Sequence, residues 1–233
     1  MGIKLSNVTK VYKTGEVETY ALKNINFEIY DGEILVILGA SGSGKSTLLN
    51  VISGLDTPTS GEIICNGQLI SSYNEKQLTR FRRESLGFIF QQYNLLQNLN
   101  VRENVEIGSS IGKSPLDLDE IISLVGLGEK KHKYPYQLSG GEQQRVSIAR
   151  RVAKNPEVLF CDEPTGALDE ETGKQVLEIL QQMNEKYHTT VVIITHNPYI
   201  AQLADRVIRM NSGEIKELII NREKKKVGEI SWG

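Results

Sequence analysis

Cysteine is nearly absent. Cys65 and Cys161 are the only two in 233 residues, too few and too isolated for a disulfide framework or a metal site. Cys161 lies inside an apolar run and reads as a buried free thiol, which suits a reducing cytosol. Long hydrophobic runs are missing too: none approaches the ~20 apolar residues that span a bilayer. The N-terminus lacks the profile of a secretory signal. The chain therefore reads as soluble by itself, with any membrane role requiring a partner. Nor is there an excess of one charge. With 27 Lys and Arg against 29 Asp and Glu, the formal charge of −2 lacks the basic footprint of general nucleic-acid binding. No internal repeat, low-complexity block or long coiled coil is present. Two short patterns read as coincidences. Met1-Gly2-Ile3-Lys4-Leu5-Ser6 fits a loose myristoylation motif, but Ile3, Leu5 and Val8 look like the start of a strand. Asn7-Val8-Thr9 fits a glycosylation acceptor, which has no meaning without secretion.

What is present is an ordinary globular composition, 39% hydrophobic and 24% charged, long enough for one large domain or two small ones. One stretch stands out: Gly39-Ala40-Ser41-Gly42-Ser43-Gly44-Lys45-Ser46-Thr47. It follows the apolar run Ile34 to Leu38, a candidate buried strand. It precedes Leu48, Leu49, Val51 and Ile52, spaced for a helix packed on a sheet. Strand, glycine-rich turn and helix form the context that the phosphate-loop pattern G-x-x-x-x-G-K-[ST] requires. Glycines let successive N–H groups converge on one anion, and a helix opening at Lys45 adds the positive end of its dipole. Lys45 can reach the β- and γ-phosphates, and the Ser46 hydroxyl can ligate Mg²⁺. A flexible turn matching by chance is expected on the order of once in a hundred such chains, so nucleoside triphosphate binding is the starting point.

Upstream, short β-rich runs from Ile3 to Tyr12 and Ala21 to Ile29 flank the polar turn Thr14-Gly15-Glu16, suggesting antiparallel sheet. From the residues alone, Tyr12 reads as an ordinary strand aromatic. Downstream come a short strand at Glu62 to Cys65 and a helix from Glu75 to Glu84. Lys76, Arg80, Arg82 and Arg83 form a basic stripe on that helix and read as a solvated face. The apolar run beginning at Leu86 ends abruptly in Gln91 and Gln92, a position suited to a ligand crevice. Between Val101 and Lys133 the pattern changes to short helices, including Leu118 to Val125, broken by Gly108, Gly112, Pro115 and Gly126.

Leu138-Ser139-Gly140-Gly141-Glu142-Gln143-Gln144-Arg145 is a second landmark. Ser139 and Glu142 satisfy a capping box. A glycine in a helix costs ~1 kcal/mol against alanine, so two in the first turn need another reason. Backbone N–H groups open to a closely approaching anion supply one. A third landmark, Val158 to Glu163, is a buried strand ending in two carboxylates. Beside a phosphate loop, Asp162 is the carboxylate expected for Mg²⁺, and Glu163 the general base or the group orienting the attacking water. Asp169 can cap the following helix. Thr190 to Thr195 is another buried strand, placing His196 at the same sheet end. His132 and His188 lie in polar, loop-like contexts and suggest no function. A terminal hairpin (Val207 to Met210, Glu214 to Ile219) turns at Asn211-Ser212-Gly213. It leads to a basic tail, Arg222 and Lys224 to Lys226, with Trp232 near the end, that reads as solvated.

With these pieces in order, the chain resembles the ATP-binding subunit of ATP-binding-cassette (ABC) transporters along essentially its whole length. Gly39 to Thr47 resembles the Walker A loop, Val158 to Glu163 Walker B, and Leu138 to Gln143 the signature motif of this family. Gln91 is similar to the Q-loop glutamine, Ala167-Leu168-Asp169 to the D-loop and His196 to the H-loop histidine. Tyr12 matches the aromatic that stacks on adenine. The stretches Phe90 to Leu96 and Asp162 to Asp169 look most like the branch of macrolide and antimicrobial-peptide exporters, lipoprotein-releasing transporters and the cell-division ABC pair. Glu106 to Pro115 looks abbreviated against that branch.

The resemblance implies an α/β phosphate-loop NTPase core with an antiparallel β subdomain and a small inserted helical subdomain. The corresponding boundaries are 1–90 and 140–220 for the core, about 91–139 for the helical subdomain and 221–233 for the tail, all within one ABC ATP-binding domain. It implies ATP and Mg²⁺ as ligands, with Ser46, Gln91 and Asp162 near the metal. Glu163, His196, Gln91 and Lys45 would be catalytic, and Tyr12 and Gly39 to Thr47 would bind nucleotide. Ser139, Gly140, Gly141 and Glu142 would act in trans, with Asp169 at the interface of a head-to-tail homodimer. The permease partner would be a separate membrane chain, with this subunit in the cytoplasm on the inner face of the membrane and no nucleic acid involved. A soluble ABC ATPase of translation or DNA repair is the competing class, but those resemble tandem cassettes or cassettes split by long coiled coils, and neither is present. A nucleotide-dependent kinase would leave the signature motif without a purpose.

Overall fold

The structure is a computed structural model that describes residues 2–90, 92–166 and 168–230. The expectations placed on Gln91, Ala167 and Trp232 lie outside the described residues. The strand and helix order is β1 (Ile3–Thr14), β2 (Val17–Ile29), β3 (Ile34–Leu38), α1 (Lys45–Ile52), β4 (Ser60–Cys65), β5 (Gln68–Leu69), α2 (Glu75–Ser85), β6 (Leu86–Ile89), α3 (Val101–Ser109), α4 (Leu118–Leu124), α5 (Gly140–Val152), β7 (Val158–Asp162), α6 (Glu170–Tyr187), β8 (Thr190–Thr195), β9 (Arg206–Asn211) and β10 (Glu214–Ile220).

Continuous apolar runs and alternating runs separate into two sheets. β1, β2 and β4 carry stretches of alternating burial, β5 is two exposed residues, and the four pair antiparallel in the order β2-β1-β4-β5. β3 is apolar throughout, as are β7 up to Asp162 and β8 between its terminal threonines, because both faces are covered, as parallel strands require. They lie in a six-stranded sheet of order β10-β9-β3-β8-β7-β6, in which only the β9–β10 pairing is antiparallel. The twofold alternation of strand side chains divides each of these strands between two cores. Leu35 and Ile37 of β3, Val158 and Phe160 of β7, and Val192 and Ile194 of β8 face α1 and the antiparallel sheet. Ile34, Val36 and Leu38, with Leu159 and Cys161 of β7 and Val191 and Ile193 of β8, face the other layer, which includes residues of α3, α4, α5 and α6.

Helix starts follow their caps. Asn74, Asn100, Asp117, Ser139 and Asp169 each accept a bond from the backbone N–H three residues on, satisfying a donor the helix leaves open. α3 lies so close to α5 that a Cβ at Gly108 would come within 1.7 Å of the Arg150 carbonyl oxygen. Any larger residue would push the two helices apart.

Several boundaries differ from expectation. The first hairpin is longer, its strands running to Thr14 and from Val17, with Gly15 at φ 62 in the turn. β6 stops at Ile89 and does not reach the amides. The basic stripe of α2 is exposed at Lys76, Arg80 and Arg83, as expected of a solvated face, while Arg82 is half-buried and reaches Glu75 and the Gly54 carbonyl. The C-terminal stretch is not a free solvated tail. Its lysines face outward, but Val227 and Ile230 are buried in the core beside α6. Asn221 Nδ2 donates to the Ala201 and Ala204 carbonyls and anchors the crossing. Both thiols are free and buried, and burial pushes Cys65 up to about 12 and Cys161 further. Among the described residues, no helix is long and apolar enough to cross a membrane.

Candidate functional site

β3 is the middle of its sheet, flanked by β8 and β9, so Leu38 leaves a rigid strand at a fixed point. The chain then turns through Gly39 to Gly44 and enters α1. Gly42 and Gly44 have φ of 78 and 101, a region that L side chains rarely occupy. At Gly44 a Cβ would also lie 2.6 Å from the Ala21 carbonyl. The loop is tied across the molecule: Ser43 N donates to the Ala40 carbonyl, Gly213 N to the Ser43 carbonyl and Lys23 N to the Gly213 carbonyl. Lys45 Nζ donates to the Gly39 and Ala40 carbonyls at 2.7 and 2.9 Å, so its ammonium sits over the loop. α1 has no side-chain cap and no acidic residue in its first turn. Its first N–H groups and the positive end of its dipole are therefore free for an anion.

Around this loop is a cavity of about 790 Å³. Lys45, Ser46 and Thr47 line it from α1, Asp162 and Glu163 from the end of β7, and His196 from the end of β8. Ligands of open parallel sheets gather beyond the carboxyl ends of the strands, and that is where these residues converge. Burial is the largest influence on Asp162 and, with Glu163 nearby, raises its pKa, against the opposing effects of the neighbouring Ser46 and Lys45.

Glu163 takes a left-handed φ of 48, uncommon for a non-glycine residue. Its backbone N–H is pinned to the Ile194 carbonyl of β8. Its carboxylate accepts from Thr195 Oγ1 and from the His196 backbone N–H, both at 3.0 Å, and lies 2.8 Å from His196 Nδ1. With its proton on Nδ1 the imidazole donates to this carboxylate, while the ring itself stays largely exposed. The arrangement can hold a polyanion with backbone donors and one ammonium, and presents a carboxylate–imidazole pair beside it. The Ser46 hydroxyl and Asp162 carboxylate are hard oxygen donors of the kind Mg²⁺ takes together with phosphate and water. Among the described residues, no group of three or more His, Cys, Asp or Glu could hold a metal ion.

Other expected residues stand apart from this cavity. Ser139 caps α5, its Oγ accepting from Glu142 N while the Glu142 carboxylate accepts from Ser139 N and pairs with Lys130. That ammonium, first among several influences, holds the Glu142 carboxyl below its usual range. The glycine pair has a packing reason that the sequence does not reveal. A Cβ at Gly141 would lie 2.3 Å from Thr172 Cγ2 in the first turn of α6, and one at Gly140 would lie 3.3 Å from the Tyr93 hydroxyl. Asp169 caps α6, its two oxygens accepting from Thr172 N and Thr172 Oγ1, each at 2.9 Å. Tyr12 donates its hydroxyl to Asp56 at 2.8 Å, with Lys10 Nζ 4.9 Å from the centre of its ring. Gly39 and Ala40 also border a separate hollow with His196, Pro198 and Arg209.

The wall formed by Thr19, Tyr20, Ala21 and Lys23 of β2, and the floor at Ser212 and Gly213, lie beyond what the sequence reveals. Gly213 carries the only usable signal, as a hairpin-turn glycine.

A family model described as ABC transporter matches residues 22–166. A putative ABC transporter ATP-binding protein of Mycoplasma pneumoniae, the MG065 homolog, is 49% identical over 99% of this chain. The macrolide export ATP-binding/permease protein MacB of Wolinella succinogenes is 44% identical over 91% of this chain. This chain spans 50% of the first protein and 34% of the second. Among solved structures, the dimeric post-hydrolysis state of the ATP-binding cassette MJ0796 bound to ADP and Pi superimposes with a TM-score of 0.84. It is 40% identical, and the match covers 95% of this chain and 99% of that one.

Proposed function

The chain belongs to the ABC transporter family, and on that premise we propose that it binds and hydrolyses ATP to drive a membrane permease. The permease is of the exporter or mechanotransmission type and, in this reading, a separate chain. The cassette then works from the cytoplasm, at the inner face of the cell membrane. The observation that carries the reading is the convergence of the Gly39–Thr47 loop with Asp162, Glu163 and His196 on one cavity.

In this reading the N–H groups from Gly39 to Thr47 and the Lys45 ammonium hold the β- and γ-phosphates, and Tyr12 stacks on adenine. Ser46, Asp162 and Gln91 would hold Mg²⁺, which would offset phosphate charge there. Glu163 orients a water and receives its proton as the water oxygen bonds to the γ-phosphorus. The bond from that phosphorus to the β–γ bridging oxygen breaks, leaving ADP and phosphate. His196 fixes the Glu163 carboxylate in direction. Ser139, Gly140, Gly141 and Glu142 of a second copy approach the same triphosphate, with Asp169 at the junction, so two ATP molecules join a homodimer. The solved MJ0796 cassette is itself a dimer, which supports this arrangement. ATP can drive a permease only by favouring the joined over the separated state.

Glu163→Gln tests the reading. Turnover should fall by about 10²-fold or more, the scale of a lost general base, while the variant with ATP elutes from a sizing column as a dimer. Full turnover, or a monomer that binds ATP, rejects it.

A further inference from the structure

Arg150 sits in the last turn of α5 and is only 8% exposed. No carboxylate balances it among the described residues. Its Nη2 donates to the Tyr93 and Asn94 carbonyls at 3.2 and 2.8 Å, and its Nε has no hydrogen-bond partner among the described residues. Burial, reinforced by the charge of Arg151, draws its pKa down to about 10. A desolvated cation held by carbonyl dipoles alone is a poor way to stabilise a core, and an apolar side chain of similar volume is often the better choice. The arginine therefore calls for a role in geometry.

The geometry concerns the loop after β6. Phe90, Gln92 and Asn94 border a hollow of about 350 Å³ together with Asp162 and Glu163. Asn94 has a left-handed φ of 50, and its carbonyl accepts the shorter Arg150 bond. Tyr93 meets α5 at both ends: its carbonyl accepts from Arg150, and its hydroxyl lies near Gly140. Just past α5, Lys154 Nζ donates to the Arg82 and Arg83 carbonyls in the last turn of α2, ahead of β6. Both ends of β6 are thereby fastened to the C-terminal end of one helix, whose N-terminal end is Ser139–Gly141.

We propose that Arg150 is a positioning residue for hydrolysis: its guanidinium locks the Tyr93–Asn94 backbone to α5. The loop beside one catalytic carboxylate and the glycine-pair helix start then shift as a single body. The inference rests on the proposed function, in which that loop serves the chain's own ATP while Ser139–Gly141 serve the ATP of a second copy. Arg150 thus links the two nucleotides of a dimer.

A double-mutant cycle on ATP hydrolysis by the full chain tests it, with Gln91→Ala to remove the loop's chemistry and Arg150→Met to remove the lock. Each single variant should lower kcat by about tenfold with KM for ATP changed less than about twofold. The double variant should be no slower than the slower single, because a lock on a disabled loop has nothing left to position. A mere folding defect would reduce the active fraction and multiply with Gln91→Ala, so multiplied losses overturn the inference while leaving the ATPase reading intact. A Gln91→Ala protein at full rate overturns the loop's role itself, and the inference with it. Should Arg150→Met not fold, Arg150→Lys carries the same cycle; it keeps the charge, but a single ammonium cannot reproduce the planar fork. Multiplied losses with that variant are equally fatal.

Discussion

Glu33→Gln isolates the join between the two sheets. Glu33 precedes β3 and Arg206 opens β9. The Arg206 Nε and Nη2 donate to the two Glu33 oxygens, each at 2.7 Å, in a bidentate pair. Nη2 also reaches the Glu28 carbonyl at the end of β2, and the guanidinium lies 4.0 Å over the Tyr30 ring. Both charged side chains are less than 10% exposed, and Glu33 holds the turn by accepting from Tyr30 N. The pair, above all its hydrogen bonds, raises the Arg206 pKa, so removing the glutamate charge leaves a buried cation against a neutral amide. Breaking one side of such a pair costs about 3–5 kcal/mol. With a urea m-value of about 3 kcal/mol/M, the upper end for small domains, the unfolding midpoint should fall by about 1–1.7 M. Urea titration followed by far-ultraviolet circular dichroism measures it. The double variant Glu33→Met/Arg206→Met should recover most of the loss, because two packed apolar chains need no partner charge. A Glu33→Gln midpoint within about 0.3 M of the wild type, corresponding to less than about 1 kcal/mol on the same m-value, refutes the argument.

Asp162→Asn should remove hydrolysis yet stabilise the fold near neutral pH. The folded carboxyl keeps its proton to higher pH than the unfolded one, so stability is lost as pH rises from the unfolded value through the raised one. The variant should lack that loss, and parallel melting curves of the two proteins from pH 4 to 8 would contradict it. Ile230→Ala should cost about 2 kcal/mol, the low end for a buried isoleucine because the site lies on the flank of the core, and lower the melting temperature by about 4–8 °C with ATP turnover unchanged. A melting temperature equal to the wild type would mean that the C-terminal segment is not docked.

The readable parts of this molecule are those whose cause is local. The Gly39–Thr47 turn, the capped starts at Ser139 and Asp169 and the apolar strand at Thr190–Thr195 each depend on residues within one or two turns of chain. The hidden parts depend on contact between distant segments. Nothing near Tyr20 or Lys23 marks them as walls of the cavity, because their place follows from the packing of β2 over the loop. By sequence Gly141 is an opening for an anion, whereas in the fold its neighbour Thr172 leaves no room for a side chain whatever binds there. Val227 and Ile230 give no signal beside four basic residues, since a pair of isolated apolar residues has no measurable period. β6 ends early because its apolar pattern continues into a loop whose backbone carbonyls pair with α5.

The bond from Gly213 N to the Ser43 carbonyl bears on how a ribosome makes this protein. Strand β3 (Ile34–Leu38) is synthesised well before its two neighbours, β8 (Thr190–Thr195) and β9 (Arg206–Asn211), and before the turn that props its loop. A nascent polypeptide halted before that turn would carry every glycine of the Gly39–Thr47 loop and still lack the strands and the turn that brace it. Competence to take up nucleotide should consequently wait until the β9–β10 hairpin has left the exit tunnel, well after the loop itself.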